Sequence, residues 1–179
     1  MLWVGPLCLN TPPEGMKRLE KGPRWIHNSE WGYHIHPNPR LWLEPKGTYI
    51  IVQNVGDSIR TLYIGQGEIH RRIWNWEEPN LRFENLYHAG AIRFREFLTS
   101  GDSEQIESEI IVPTIFAWYY VFSDNEQESS ENHLMHLYEQ RHGSRPQFNK
   151  NWNPSRRNDA PEDFILPPGL LESRLPDLA

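Results

Sequence analysis

A chain of 179 residues and 21.2 kDa holds one domain, or one domain with modest extensions. Eight Trp, seven Tyr and seven Phe among 37 % apolar residues supply too much burial for a disordered chain. No apolar run approaches the ~20 residues of a membrane span, and a single cysteine, Cys8, excludes a disulfide scaffold or a cysteine-based zinc site.

Residues 1–46 are rich in Pro and Trp and lack sustained periodicity, which reads as an irregular arm packed on the domain. The stretch Met1–Asn10 carries no charged side chain and is followed by Pro12-Pro13, a poor signal peptide, so a cytoplasmic location is expected. Within the arm a short helix is expected near Glu14–Glu20 and a strand near Trp31–Ile35. From Gly47 the pattern sharpens. Thr48–Val52 is β-branched and aromatic, Gly56-Asp57 punctuates it, and Thr61–Ile64 follows as the second strand of a hairpin. Gly65-Gln66-Gly67 ends that strand, and Ile69, Arg72, Ile73 and Trp76 then recur at helical spacing over Glu68–Trp76.

Residues 81–98 read as a helix interrupted by Gly90. Ile110–Val112 and Thr114–Phe122 are continuously apolar, as in a buried central strand. Ser123-Asp124-Asn125-Glu126 has capping-box spacing, and the helix after it is expected to stop at Gly143. The Pro-rich residues 154–179 form a C-terminal tail, leaving 47–153 as the central domain.

The net charge of −6 discourages nucleic-acid binding when read alone, but the charges are segregated. Residues 96–140 carry ten acids and no Lys or Arg, whereas 141–158 carry Arg141, Arg145, Lys150, Arg156 and Arg157 and no acid. Fourteen of the 18 cations are Arg, the side chain suited to bidentate phosphate contact, so the second segment reads as a local anion site or a solvated loop.

Glu131 shares a helical face with Leu134, Met135 and Tyr138, three, four and seven positions on. A carboxylate on an apolar face needs an Arg or a metal ion unless its head reaches solvent. Tyr49 and Tyr63 stand on the two hairpin strands, where pairing can bring the phenols together or simply pack them. His34 and His36 on one strand face, and His133 and His136 on a helix, are weaker metal-ligand candidates.

In order along the chain, Gly47-Thr48-Tyr49, Tyr63-Ile64-Gly65, Ile69-His70-Arg71-Arg72-Ile73, Glu131 and Pro146-Gln147-Phe148-Asn149 resemble the motif series of the GIY-YIG nucleases. The resemblance covers about residues 45–153. It implies an α/β fold, a small three-stranded, mainly antiparallel sheet flanked by helices. It further implies a metal-dependent DNA endonuclease with catalytic Tyr49, Tyr63, Arg72, Glu131 and Asn149. The tyrosines would flank the scissile phosphate, with Tyr49 as activator of the attacking water. Arg72 would stabilise the pentavalent phosphorus, Glu131 would anchor Mg²⁺ or Mn²⁺, and Asn149 would hold the site together.

Three features depart from that pattern. The turn between the tyrosine motifs is longer than usual in the family. The loop from Gly65 to Arg72 is one residue short, which leaves Arg71 as a substitute. Trp76 stands where many members carry a His or Tyr, leaving His70 and His88 as replacements.

Duplex DNA is the expected partner, with Arg71, Arg141, Arg145, Lys150, Arg156 and Arg157 on its backbone. The size matches compact, stand-alone restriction-type members, and cutting two antiparallel strands would favour a homodimer. A catalytically silent nucleic-acid-binding or interaction module of the same fold, and an RNA-directed or toxin-like nuclease, are the alternatives.

Overall fold

The computed structural model describes residues 3–9, 17–18, 25–26, 46–55, 58–76, 88–100, 115–121, 126–150, 164–167 and 169–172. Strands β1 (Val4–Cys8), β2 (Lys17–Arg18), β3 (Trp25–Ile26), β4 (Lys46–Val55) and β5 (Ser58–Glu68) lead into helix α1 (Ile69–Trp74). Helix α2 (Ala89–Ser100), strand β6 (Ile115–Val121) and helix α3 (Gln127–His142) follow. The class is α/β, with an antiparallel sheet in the order β1-β6-β4-β5. Three strands, β6, β4 and β5, form its body, and the arm adds β1 as a short edge strand.

The sheet alternates as a pleat requires. Tyr49, Ile51, Ile115, Ala117 and Tyr119 pack on one face with Ile69, Ile73 and Trp76 after β5 and with Ala91 and Phe94 of α2. Ile50, Val52, Ile64 and Tyr120 pack on the other with Leu134, Met135 and Tyr138 of α3, joined by Phe164, Leu170 and Leu171 from the tail. Both faces are covered, which is why the strands read as nearly continuous apolar runs.

A bulge breaks the alternation where it matters. Ile51 pairs with Tyr63 but Val52 pairs with Thr61, so Leu62 is the extra residue on β5. Consecutive residues Leu62 and Tyr63 then pack against the same cluster. Without the bulge, a strand that buries Leu62 on that face would turn Tyr63 away from Tyr49.

Three local expectations are corrected. Gly65-Gln66-Gly67 does not end the second hairpin strand: β5 runs on to Glu68, with Gly65, Gln66 and Gly67 paired to Tyr49, Thr48 and Gly47. Lys17–Arg18 pairs with Trp25–Ile26 as a short antiparallel ladder where a helix was expected over Glu14–Glu20. Gly15, Gly22 and Pro23 in so short a segment disfavour helix. Helix α3 begins at Gln127 with Glu126, rather than Ser123, as N-cap and no side-chain capping bond from Glu126; Ser123 lies outside the described residues. The expected stop holds: Gly143 takes a left-handed conformation (φ 69°) and its N–H donates to the Glu139 carbonyl at 2.8 Å. The expected strands at 31–35 and 110–112, and residues 81–87 of the expected helix, lie outside the described residues.

Candidate active site

Paired antiparallel strands place Tyr49 opposite Gly65 and Tyr63 opposite Ile51, which makes the two tyrosines diagonal neighbours on one face. Their ring centres are 5.9 Å apart. Gly65 makes this possible: a Cβ there would lie 2.5 Å from Tyr63 Cε1 and 2.6 Å from the Tyr49 hydroxyl. Tyr49 is fully buried, while Tyr63 keeps partial exposure. Tyr49 therefore cannot itself touch bulk water.

Gly90, in the first turn of α2, is needed for the same cluster. A Cβ there would fall 2.5 Å from Tyr63 and 2.9 Å from Trp76. The Trp76 ring lies tilted against Tyr63 at 5.1 Å and edge-on to His88 at 5.9 Å, so it is a wall of the cluster. His88, one of the two residues expected to replace the His or Tyr missing at Trp76, places its Nε2 2.7 Å from the Tyr49 hydroxyl.

Arg72 is exposed on α1, and its guanidinium passes over Gly67, whose φ of 127° favours glycine. With Lys46, Glu68, Asn75 and Gln127 it lines a cleft of about 390 Å³. Thr48 Oγ1 donates to the Gln127 carbonyl at 3.0 Å, tying the start of β4 to the first turn of α3, one turn before Glu131. Glu131 is half-buried, and its charge reaches both phenols.

The electrostatics join these groups into one site. Burial, then the adjacent Tyr63, hold the Tyr49 hydroxyl well above the usual phenol range; Arg72 opposes this and Glu131 adds to it. Burial and then Glu131 push Tyr63 up to about 12, against Arg93 and Arg72. Burial, followed by the charges of Arg72 and Arg93, holds His88 down to about 3. At neutral pH the centre is two phenols and a neutral imidazole between a carboxylate and two guanidinium groups.

Asn149 stands on the open edge of β5. Its Nδ2 donates to the Ile64 carbonyl at 2.6 Å, and the Ile64 N–H donates to its Oδ1 at 2.9 Å. Arg93, which the sequence did not single out, donates from Nε at 3.0 Å and from its Nη2 to the Phe148 carbonyl. A single Arg within an amphipathic helix carries no local signal of such a task.

Tyr49 and Tyr63 are thus in ring contact, and Arg72 lies over Gly67 of the same strand as Tyr63. Asn149 is bonded to Ile64 next to Tyr63, and the charge of Glu131 acts on both phenols. The basic residues are dispersed. Arg141 pairs with Glu172 at 2.7 Å, and Arg145 lies 4.0 Å from Glu139 and donates to the Lys150 carbonyl at 3.2 Å. Lys150 is exposed. Arg71 belongs to α1, but its side chain, like Arg156, Arg157, His34 and His36, lies outside the described part. Among the described residues no group of three His, Cys, Asp or Glu could hold a metal ion, and no helix is long and apolar enough to cross a membrane. Comparison of the chain with protein-family models, with curated proteins and with solved structures finds no match.

Proposed function

We propose that this chain is a metal-dependent endonuclease that hydrolyses phosphodiester bonds in duplex DNA, built on a GIY-YIG-like site and acting as a homodimer of restriction type. The observation that carries the reading is the convergence of Tyr49, Tyr63 and Arg72 with Glu131, whose charges act on the same two phenols. Phosphodiester hydrolysis asks for a water aimed in line and for compensation of charge gathering on the phosphate oxygens.

The donor set suits a divalent ion of one kind. Glu131 is a single half-buried carboxylate, too little for a closed protein cage but adequate for Mg²⁺ or Mn²⁺, which can keep waters and take substrate oxygens. When bound, such an ion supplies charge neutralisation and lowers the pKa of a water. The chain does the rest. Arg72, exposed and lining the cleft, meets the phosphate and offsets its growing charge; Lys46, which lines the same cleft, adds a second cation. Tyr63 presents a neutral hydroxyl, and Asn149 fixes the strand that carries it. Trp76 and Phe94 close the inner wall against water.

Incubation of supercoiled plasmid with the chain in Mg²⁺ and in EDTA tests the reading. Nicking or linearisation with Mg²⁺ alone is the expected result. Binding without cleavage would assign the silent module, and cleavage of RNA alone would move the substrate.

A further inference from the structure

His88 precedes α2, and its ring nitrogens have different partners. Nδ1 lies 3.3 Å from the Ala91 amide nitrogen, the third N–H of the helix, and Nε2 lies 2.7 Å from the Tyr49 hydroxyl. A main-chain N–H can only donate, so Nδ1 carries a lone pair. An imidazole with an unprotonated Nδ1 holds its one proton on Nε2. The 2.7 Å bond therefore runs from His88 Nε2–H to the Tyr49 oxygen.

The direction constrains the next bond. Tyr49, having accepted from His88, must send its own proton elsewhere, and it is fully buried. Tyr63 is beside it, with ring centres 5.9 Å from Tyr49 and 5.2 Å from His88. We infer that His88 is a positioning residue that polarises a one-way chain, His88 Nε2–H to Tyr49 O–H to Tyr63 O–H, so that Tyr63 rather than Tyr49 is the phenol that donates to the phosphate oxygens of the substrate.

One further observation agrees with the direction. Burial with Arg72 and Arg93 keeps His88 neutral at working pH, which leaves Nδ1 available to Ala91. Each donor in such a chain sharpens the next, so Tyr63 offers a stronger hydrogen bond to developing negative charge than a lone phenol. No proton changes owner.

The part played by Tyr63 toward substrate rests on the nuclease reading; the direction of the chain does not. Nitrogen NMR on the histidine-labelled full chain reads the direction without any activity: a pyridine-type Nδ1 and a protonated Nε2 are expected for His88. His88→Asn keeps an acceptor for the Ala91 N–H, as a good N-cap does, but loses the donor to Tyr49. It should fold with an unchanged circular dichroism spectrum, lower kcat about tenfold and leave KM in place. His88→Gln, which can again place an amide N–H near Tyr49, should recover most of that loss. Tyr49→Phe should cost as much as His88→Asn, and the double variant no more than either. Tyr63→Phe should cost about 10²–10³-fold. A protonated Nδ1, or wild-type kcat in His88→Asn, would overturn the chain. Wild-type protein that cuts nothing would overturn the nuclease reading and with it the donation by Tyr63, while the nitrogen spectrum would still decide the direction.

Discussion

Asn149 replaces a missing strand for Ile64. Its amide donates to the Ile64 carbonyl at 2.6 Å and accepts from the Ile64 N–H at 2.9 Å, while the Phe148 N–H reaches the Leu62 carbonyl at 3.4 Å. These main-chain groups lie on the free side of edge strand β5, where they would otherwise invite another chain. Because Ile64 follows Tyr63, the same clamp fixes the phenol.

Asn149→Ala removes both bonds and leaves two part-buried main-chain groups of Ile64 unmet. A loss of about 1–3 kcal/mol in stability is expected from urea denaturation. Cleavage should fall further than stability alone explains, since Tyr63 loses its anchor. Asn149→Asp keeps the acceptor but not the donor and should lie between the two.

On the proposed reading, Glu131→Ala should abolish cleavage and leave DNA binding intact or tighter, because it would remove the proposed metal anchor and a negative charge that would face phosphate. Plasmid nicking and a filter-binding titration separate the two. The carboxylate also raises both phenols, so the tyrosine absorbance titration should shift to lower pH in this variant. Full activity in Glu131→Ala would end the metal assignment.

His88 gives stability a predictable acid limb. The unfolded chain protonates His88 near 6.5, whereas the folded chain does so only near 3, so between those values the unfolded state holds more protons. Stability should be unaffected by this group above pH 6.5 and fall as pH drops towards 3, by roughly 4–5 kcal/mol at 1.36 kcal/mol per unit. Urea midpoints measured across this range should be flatter in His88→Asn. Equal slopes would mean that the imidazole is not held neutral by its burial and by Arg72 and Arg93.

Gly90→Ala would press a methyl group into the Tyr63 and Trp76 rings, with contacts of 2.5 and 2.9 Å before relaxation. The usual small gain from replacing a helical glycine should reverse to a loss of about 1–3 kcal/mol. Thermal unfolding checks the sign. A stabilised variant would show that Tyr63 has room to move.

Local chemistry made the hairpin legible. The β-branched and aromatic run 48–52 and the spacing of Ile69, Ile73 and Trp76 each depend on neighbours in sequence. Gly143 ended α3 for the same reason. What depended on distant partners was not legible. Gly65-Gln66-Gly67 lies inside β5 rather than ending it because its pairing partners are Tyr49, Thr48 and Gly47 on β4. Strand β1 exists because the arm meets β6 more than a hundred residues later, and Phe164, Leu170 and Leu171 are buried because α3 offers them a face. His88 and His70 were the two candidates for the gap at Trp76, and the contact of His88 Nε2 with Tyr49 depends on how the start of α2 packs near the hairpin, which no local pattern shows. The bulge at Leu62 carries no sequence signature, yet it aims Tyr63.

The basic stretch after α3 yields the last prediction. If its cations meet the DNA backbone, affinity should fall with salt by ~0.9 logarithmic units per phosphate contacted, a slope of roughly −3 to −5 for about 3–5 contacts. The side chains should not contribute equally. Arg141 already pairs with Glu172 at 2.7 Å, so Arg141→Ala should change the slope by less than one contact. Lys150 is exposed, and Arg145 sits at a looser 4.0 Å from Glu139, so replacing both with Ala should flatten the slope by about two units. The loss should be the same for every DNA sequence, because phosphate contacts carry no base information. Arg145 also donates to the Lys150 carbonyl, one residue beyond Asn149, so the thermal midpoint of the double variant must be measured beside its affinity. An unchanged slope in a folded double variant would make this stretch a solvated loop. DNA recognition would then fall to Lys46 and Arg72 at the cleft and to the Trp-rich arm.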